Sequence, residues 1–166
     1  MAAKVLMVSV VTAIGLAGCV TAPGKPEPPP AAARVACNTA AGGPCRVAVT
    51  ASVEDDACVA SAPDIDLSER NKVRLVWNLP EGFLFCPTLG DGVWLKSISD
   101  DDQFSDFRHT NKDNGDDDEA SNTDKCRRNF RIVDRYSKVR NYPYLLRFHD
   151  KTGKVSCTVD PYIRNG

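Results

Sequence analysis

Val47, Val49, Ala51 and Val53 alternate with polar or small residues. Val73, Leu75, Trp77 and Leu79 alternate with Arg74, Val76 and Asn78. Phe130 and Ile132 continue the pattern. Tyr142, Tyr144, Leu146 and Phe148 follow, and Val155, Cys157 and Val159 close it. A period of two over four to eight residues reads as a half-buried strand. Turn signals separate the runs: Pro80-Glu81-Gly82, Gly90-Asp91-Gly92, Asn141 before Tyr142-Pro143, and Lys151-Thr152-Gly153-Lys154. The final hairpin is the clearest, with strands at 142–150 and 154–160. Pro143, early in its strand, predicts an edge position, because proline has no N–H for a ladder. After residue 45 no stretch shows a helical period, and regular structure is expected from about Arg46. The fold class is all-β, an antiparallel sandwich of about six to eight strands.

The Phe83–Pro87 stretch is apolar on both faces and belongs in the core. Trp77 is the expected central aromatic, as in immunoglobulin-like sandwiches, although the Cys…Trp…Cys spacing of antibody domains is not obeyed. The order of features from residue 46 resembles uncharacterised immunoglobulin-like β-sandwich domains of exported bacterial proteins. It includes Val-Trp-Asn-Leu, Gly-Asp-Gly-Val-Trp, Gln103-Phe104, Tyr-x-Tyr and Cys157-Thr-Val-Asp160-Pro161. The resemblance implies a fold and no activity.

The amino-terminal pattern is different. Lys4 precedes an apolar run from Val5 to Ala17, which ends in Leu16-Ala17-Gly18-Cys19. A basic start, a short apolar stretch and small residues at the cut describe an export signal. The run is too short to span a bilayer, which takes about 20 residues. The last four residues resemble the lipobox of bacterial lipoproteins. That family implies a lipid on the Cys19 thiol, cleavage before it and acylation of the new terminus. Several chains on one residue meet the requirement for stable anchoring. Val20 rather than Asp after the cysteine implies the outer membrane. Five prolines, at 23, 26, 28, 29 and 30, make a semi-rigid spacer. The expected organisation is therefore signal peptide 1–18, lipidated Cys19 and Pro/Ala-rich tether 19–36, and a β-sandwich domain 37–166 with an acidic loop at 100–124.

The chain has seven cysteines, and an odd count in an exported protein needs a reason. Lipid takes Cys19. Cys37, Cys45, Cys58, Cys86, Cys126 and Cys157 remain as candidates for up to three disulfides, whose pairing the spacing leaves open. There is no Cys-x-x-Cys pair and no His at ligand spacing from a Cys, so zinc is not expected.

Between Asp100 and Asp124 ten acidic residues face Arg108 and Lys112. The main reading is a solvated loop, with Phe104 and Phe107 placed to pin its start to the sheet. Calcium is the alternative, with Asp113, Asp116, Asp117 and Asp118 as weak ligand candidates. The EF-hand template fails there, and no metal is assigned. The stretch 125–140 holds seven basic residues against Asp134. It either pairs with the acidic stretch or offers Arg127, Arg131 and Arg135 on one strand face to an acidic partner. Nucleic acid is not an expected partner, since no aromatic-interleaved motif accompanies the charge.

No nucleophile, metal or phosphate-loop motif occurs, and no cofactor is expected. Carboxylates at Asp64, Asp66, Glu81 and Asp91 read as turn residues. His109 falls in the acidic loop, and His149 reads as an exposed strand residue opposite Phe148. Asp160-Pro161 reads as the exit turn after the last strand. The function expected is a lipid-anchored, non-enzymatic envelope lipoprotein. Its role would be binding or structural support at the periplasmic face of the outer membrane, with the membrane and a protein or envelope component as partners. The alternative is an inhibitor or immunity-type lipoprotein that blocks a periplasmic hydrolase through the acidic loop.

Overall fold

A computed structural model describes residues 33–37, 43–68, 72–96, 103–111 and 125–166. The expected lipidation site Cys19 and the calcium candidates Asp113, Asp116, Asp117 and Asp118 lie outside these residues, as do the signal peptide and the prolines of the tether.

The described chain is all-β. Its strands are β1 (Arg34–Cys37), β2 (Cys45–Ala48), β3 (Thr50–Glu54), β4 (Ala57–Ser61), β5 (Asp64–Leu67), β6 (Val73–Asn78) and β7 (Phe83–Leu84). They continue with β8 (Gly92–Leu95), β9 (Phe104–Thr110), β10 (Asn129–Asp134), β11 (Asn141–Asp150), β12 (Ser156–Val159) and β13 (Tyr162–Asn165). Two main sheets face each other in a sandwich-like arrangement, and β3–β4 form a separate hairpin. The first sheet runs β1-β5-β13-β11-β12, with β7 and β8 on the other side of β11. The second runs β2-β6-β10-β9.

Both sheets are mixed, which corrects the antiparallel expectation. β1 pairs parallel to β5, β5 parallel to β13, and β2 parallel to β6. The count of strands also exceeds six to eight, because several expected runs are divided. The alternation from Val47 to Val53 breaks at Val49, whose N–H donates to the Asn78 carbonyl (3.1 Å). Before that residue the chain belongs to the second sheet; after it the chain enters the β3–β4 hairpin. Asp55 and Asp56 form the tip of that hairpin, both at positive φ (49° and 62°), as a two-residue primed turn requires. Regular structure begins at Arg34 rather than near Arg46, so β1 starts within the segment read as tether.

The carboxy-terminal hairpin is where the alternation placed it. Phe148 faces Cys157 and Leu146 faces Val159. Asp150 closes its turn by accepting N–H bonds from Thr152, Lys154 and Val155 and the Thr152 hydroxyl. These bonds hold its carboxyl down at about 2. Asp160-Pro161 is not an exit turn. It interrupts one long strand: Tyr142 faces Ile163 in the register that pairs Leu146 with Val159, and Tyr144 N–H donates to the Pro161 carbonyl (3.0 Å). Asp160 pairs with Lys96 (2.6 Å).

β11 is accordingly central, not an edge strand. Pro143 is tolerated because it sits at the last rung toward β8: its carbonyl accepts the Lys96 N–H (3.0 Å), and the N–H it lacks would face the chain just past the end of β8.

The core lies between the sheets. Trp77 and Tyr144, from opposite sheets, are fully buried. The indole N–H donates to the tyrosine hydroxyl (3.0 Å), and the rings meet edge to face at 5.4 Å. Phe104 packs on Tyr142 and Phe85 on Phe130. Phe83 and Phe85 are buried, as the apolar stretch implied. Three disulfides staple the strands: Cys37–Cys45, Cys58–Cys157 and Cys86–Cys126.

A polar strut joins the sheets at one end. Asp134 accepts from Gln103, from the Tyr136 N–H (2.7 Å) and from Asn165 Nδ2 (3.0 Å). Burial raises the Asp134 carboxyl above its ordinary value, and these donors offset part of that rise.

Candidate functional site

The described residues that bring most chemistry together are Asp91, His149, His109 and Arg147. The turn Cys86–Asp91 supplies the centre. Leu89 N–H bonds the Cys86 carbonyl and Gly90 N–H the Pro87 carbonyl, both at 3.0 Å, closing a 3₁₀ turn over Pro87–Leu89. Gly90 ends it in the left-handed region (φ 71°). The buried Asp91 carboxylate then reaches back to accept the Cys86 N–H (2.9 Å). The Cys86–Cys126 disulfide anchors the start of this turn.

His149 ends the long strand β11, on the face opposite Phe148. It is only 6 % exposed, which corrects the exposed reading. Its Nδ1 lies 2.8 and 3.0 Å from the two Asp91 carboxylate oxygens. Nδ1 therefore donates, leaving Nε2 as the unprotonated ring nitrogen when the ring is neutral. Arg147 Nε approaches the same carboxylate at 3.9 Å.

His109 does not sit in a loop. It lies in β9, edge to face against Phe130 at 4.8 Å, and its Nε2–H donates to the Asp91 carbonyl (3.1 Å). Burial pushes its pKa down, partly countered by that hydrogen bond. Both histidines of the chain thus bond Asp91, one from each sheet.

A carboxylate that fixes the tautomer of a histidine is the orienting half of a general-base pair. Ser156 faces His149 across the β11–β12 ladder, yet no hydroxyl among the described residues is hydrogen-bonded to the ring. Cys86 and Cys126, the nearby sulfurs, are joined. One aspartate ties the turn, the central strand and the second sheet together.

Arg127, Arg131 and Arg135 do not share a face. All six residues of β10 are buried, and Arg131 is 6 % exposed. A β-bulge in β9 is the reason. Between the pairs Arg131–Arg108 and Val133–Ser105, β9 carries one extra residue, and Asp106 takes positive φ (59°). Asp106 turns its carboxylate onto Arg131 Nη2 (2.6 Å) and also pairs with Arg108. Arg127 precedes the strand, in an isolated bridge to Phe85, and Arg135 follows it, exposed. Phe107 points outward, 47 % exposed, while Phe104 enters the core. The stretch read as an acidic loop therefore contains a strand.

Asp64 accepts the Tyr162 N–H (3.0 Å) and pairs with Arg164 (2.7 Å). The sequence signal for the Asp91 cluster was slight: an Asp between two glycines, and two histidines assigned to other environments. No family model and no curated protein matches the chain.

Proposed function

We propose that this chain is a lipid-anchored, non-enzymatic envelope lipoprotein with a binding or structural role at the periplasmic face of the outer membrane. One observation carries the reading. The six cysteines after Cys19 are joined to one another as three disulfides, so the odd cysteine is the one at the end of the export signal. Three disulfides belong to an oxidising compartment. The Leu16–Cys19 motif supplies the address, and lipid on Cys19 would leave the sandwich displayed beyond the Pro-rich segment. We read the sandwich as a variant of the immunoglobulin-like arrangement, with Trp77 as its central aromatic and parallel pairs added to both sheets.

The test is the intact mass of the detergent-extracted protein, before and after reduction and alkylation. The expected result is a fragment starting at Cys19, heavier by acyl chains, whose six cysteines are alkylated only after reduction. An unlipidated mass with seven reactive thiols would overturn the reading.

A further inference from the structure

One end of the sandwich gathers basic side chains from three separated segments. Lys151 N–H donates to the Gly82 carbonyl (2.7 Å), Arg127 N–H to the Phe85 carbonyl (2.8 Å), and Cys126 is bonded to Cys86. These links hold Lys125–Arg128, the 3₁₀ turn and the hairpin tip Lys151–Lys154 side by side. Lys125, Arg128, Lys151 and Lys154 are exposed there and Arg127 is half-buried. Among the described residues none of the five is in an ion pair. Among the described residues their acidic neighbours are Glu81 and Asp150, and the Asp150 carboxylate accepts N–H groups of its own turn. Leu89, in the 3₁₀ turn, is 39 % exposed. Its Cδ1 is 3.6 Å from where a Cβ on Gly153 would lie.

An exposed leucine in a turn whose neighbouring segments carry exposed lysines and arginines is complementary to a layer of phosphate headgroups over hydrocarbon. Lysine ammonium groups act as flexible point charges toward phosphate, and the apolar tip can enter between headgroups. We propose that this end of the sandwich docks on the surface of an anionic bilayer. The cations meet lipid phosphate and Leu89 enters the interface. The docking is a property of the folded domain and does not need an acyl chain on Cys19.

The test uses residues 19–166 with Cys19→Ser, so that no lipid on the protein contributes. Flotation is measured with vesicles of phosphatidylcholine alone and of equal parts phosphatidylcholine and phosphatidylglycerol, in low and high salt. Binding is expected only to the anionic vesicles, weakening as salt rises. The triple variant Lys125→Ala/Lys151→Ala/Lys154→Ala changes exposed side chains only. It should lower partitioning by about a hundredfold, at about fivefold per lysine near the surface, with an unaltered circular dichroism spectrum. Leu89→Ser should weaken binding at both salt concentrations. Equal binding to neutral vesicles, no binding to anionic ones, or an unchanged triple variant would overturn the proposal. So would binding gained only on deletion of 112–124, which would assign the basic end to an acidic occupant within the chain. Loss of the Cys19 assignment would leave this measurement unaffected.

Discussion

Tyr144→Phe isolates one hydrogen bond between the two sheets. The Tyr144 hydroxyl accepts from the Trp77 indole N–H at 3.0 Å, and both side chains are fully buried. Removing the oxygen leaves the ring, its edge-to-face contact and nearly all apolar burial in place. It strands a donor at a fully buried position. An unsatisfied buried donor costs about 1–3 kcal/mol. For a domain of this size that is a fall in Tm of about 3–5 °C per kcal/mol, so about 3–15 °C in all. Urea unfolding followed by far-UV circular dichroism should show a lower midpoint with an unchanged slope. Trp77→Phe removes the donor and also opens a cavity, so its loss should be larger. In the double variant the two losses should not add, because each already breaks the same bond. An unchanged midpoint for Tyr144→Phe, or losses that simply add, would refute the assignment of this bond as a tie between the sheets.

Acidification should weaken the fold through His109. Its folded pKa lies below 6.5 because burial disfavours the charged ring. Its contribution is therefore present above pH 6.5 and is lost as the pH falls through the folded value. The pH dependence of the urea midpoint between 7 and 5 should flatten in His109→Asn. Gly92→Ala should destabilise by about 1–3 kcal/mol, because a Cβ there would stand 2.9 Å from Phe130 Cε2 and φ is +146°. Thermal melts of Gly92→Ala alone and with Phe130→Leu should show a smaller combined loss than the sum. Replacing Cys58 and Cys157 by serine should cost about 2 kcal/mol more than replacing Cys37 and Cys45 in the chain-entropy model, since the sequence separations are 99 and 8. Equal shifts in the two chemical denaturation curves would exclude loop entropy as the cause.

The alternation found the strands with the longest buried faces. Val73–Asn78, Asn129–Asp134 and Asn141–Asp150 each carry a run long enough for the period of two to stand out. Phe83–Leu84 is too short to show any period, and Asp64–Leu67 shows it over only four residues. Direction was not legible at all. Side chains alternate identically in parallel and antiparallel pairs, so nothing in Cys45–Ala48 announces that it runs parallel to β6. Parity also failed at β10. It puts Arg131 outward if β9 is regular, but the bulge at Asp106 folds an acid over that face. Local charge counting left two options open, pairing between the acidic and basic stretches or a basic face offered to a partner. The structure pairs one member of each inside a ladder.

The Asp91 cluster went unread for a different reason: its members are distant in sequence. Asp91 is 58 residues from His149 and 18 from His109. Each residue taken alone has an ordinary explanation, as a turn aspartate, a strand-end histidine and a loop histidine. Their meeting depends on β8 pairing with one side of β11 while β9 comes from the opposite sheet. The cost of burying Asp91 and His149 is offset because they bond each other, and the half-buried His109 bonds the Asp91 carbonyl. Polar residues buried where two sheets meet are therefore the ones a periodic reading assigns to the surface. The pattern records which face is usually apolar, and this junction reverses it at His149.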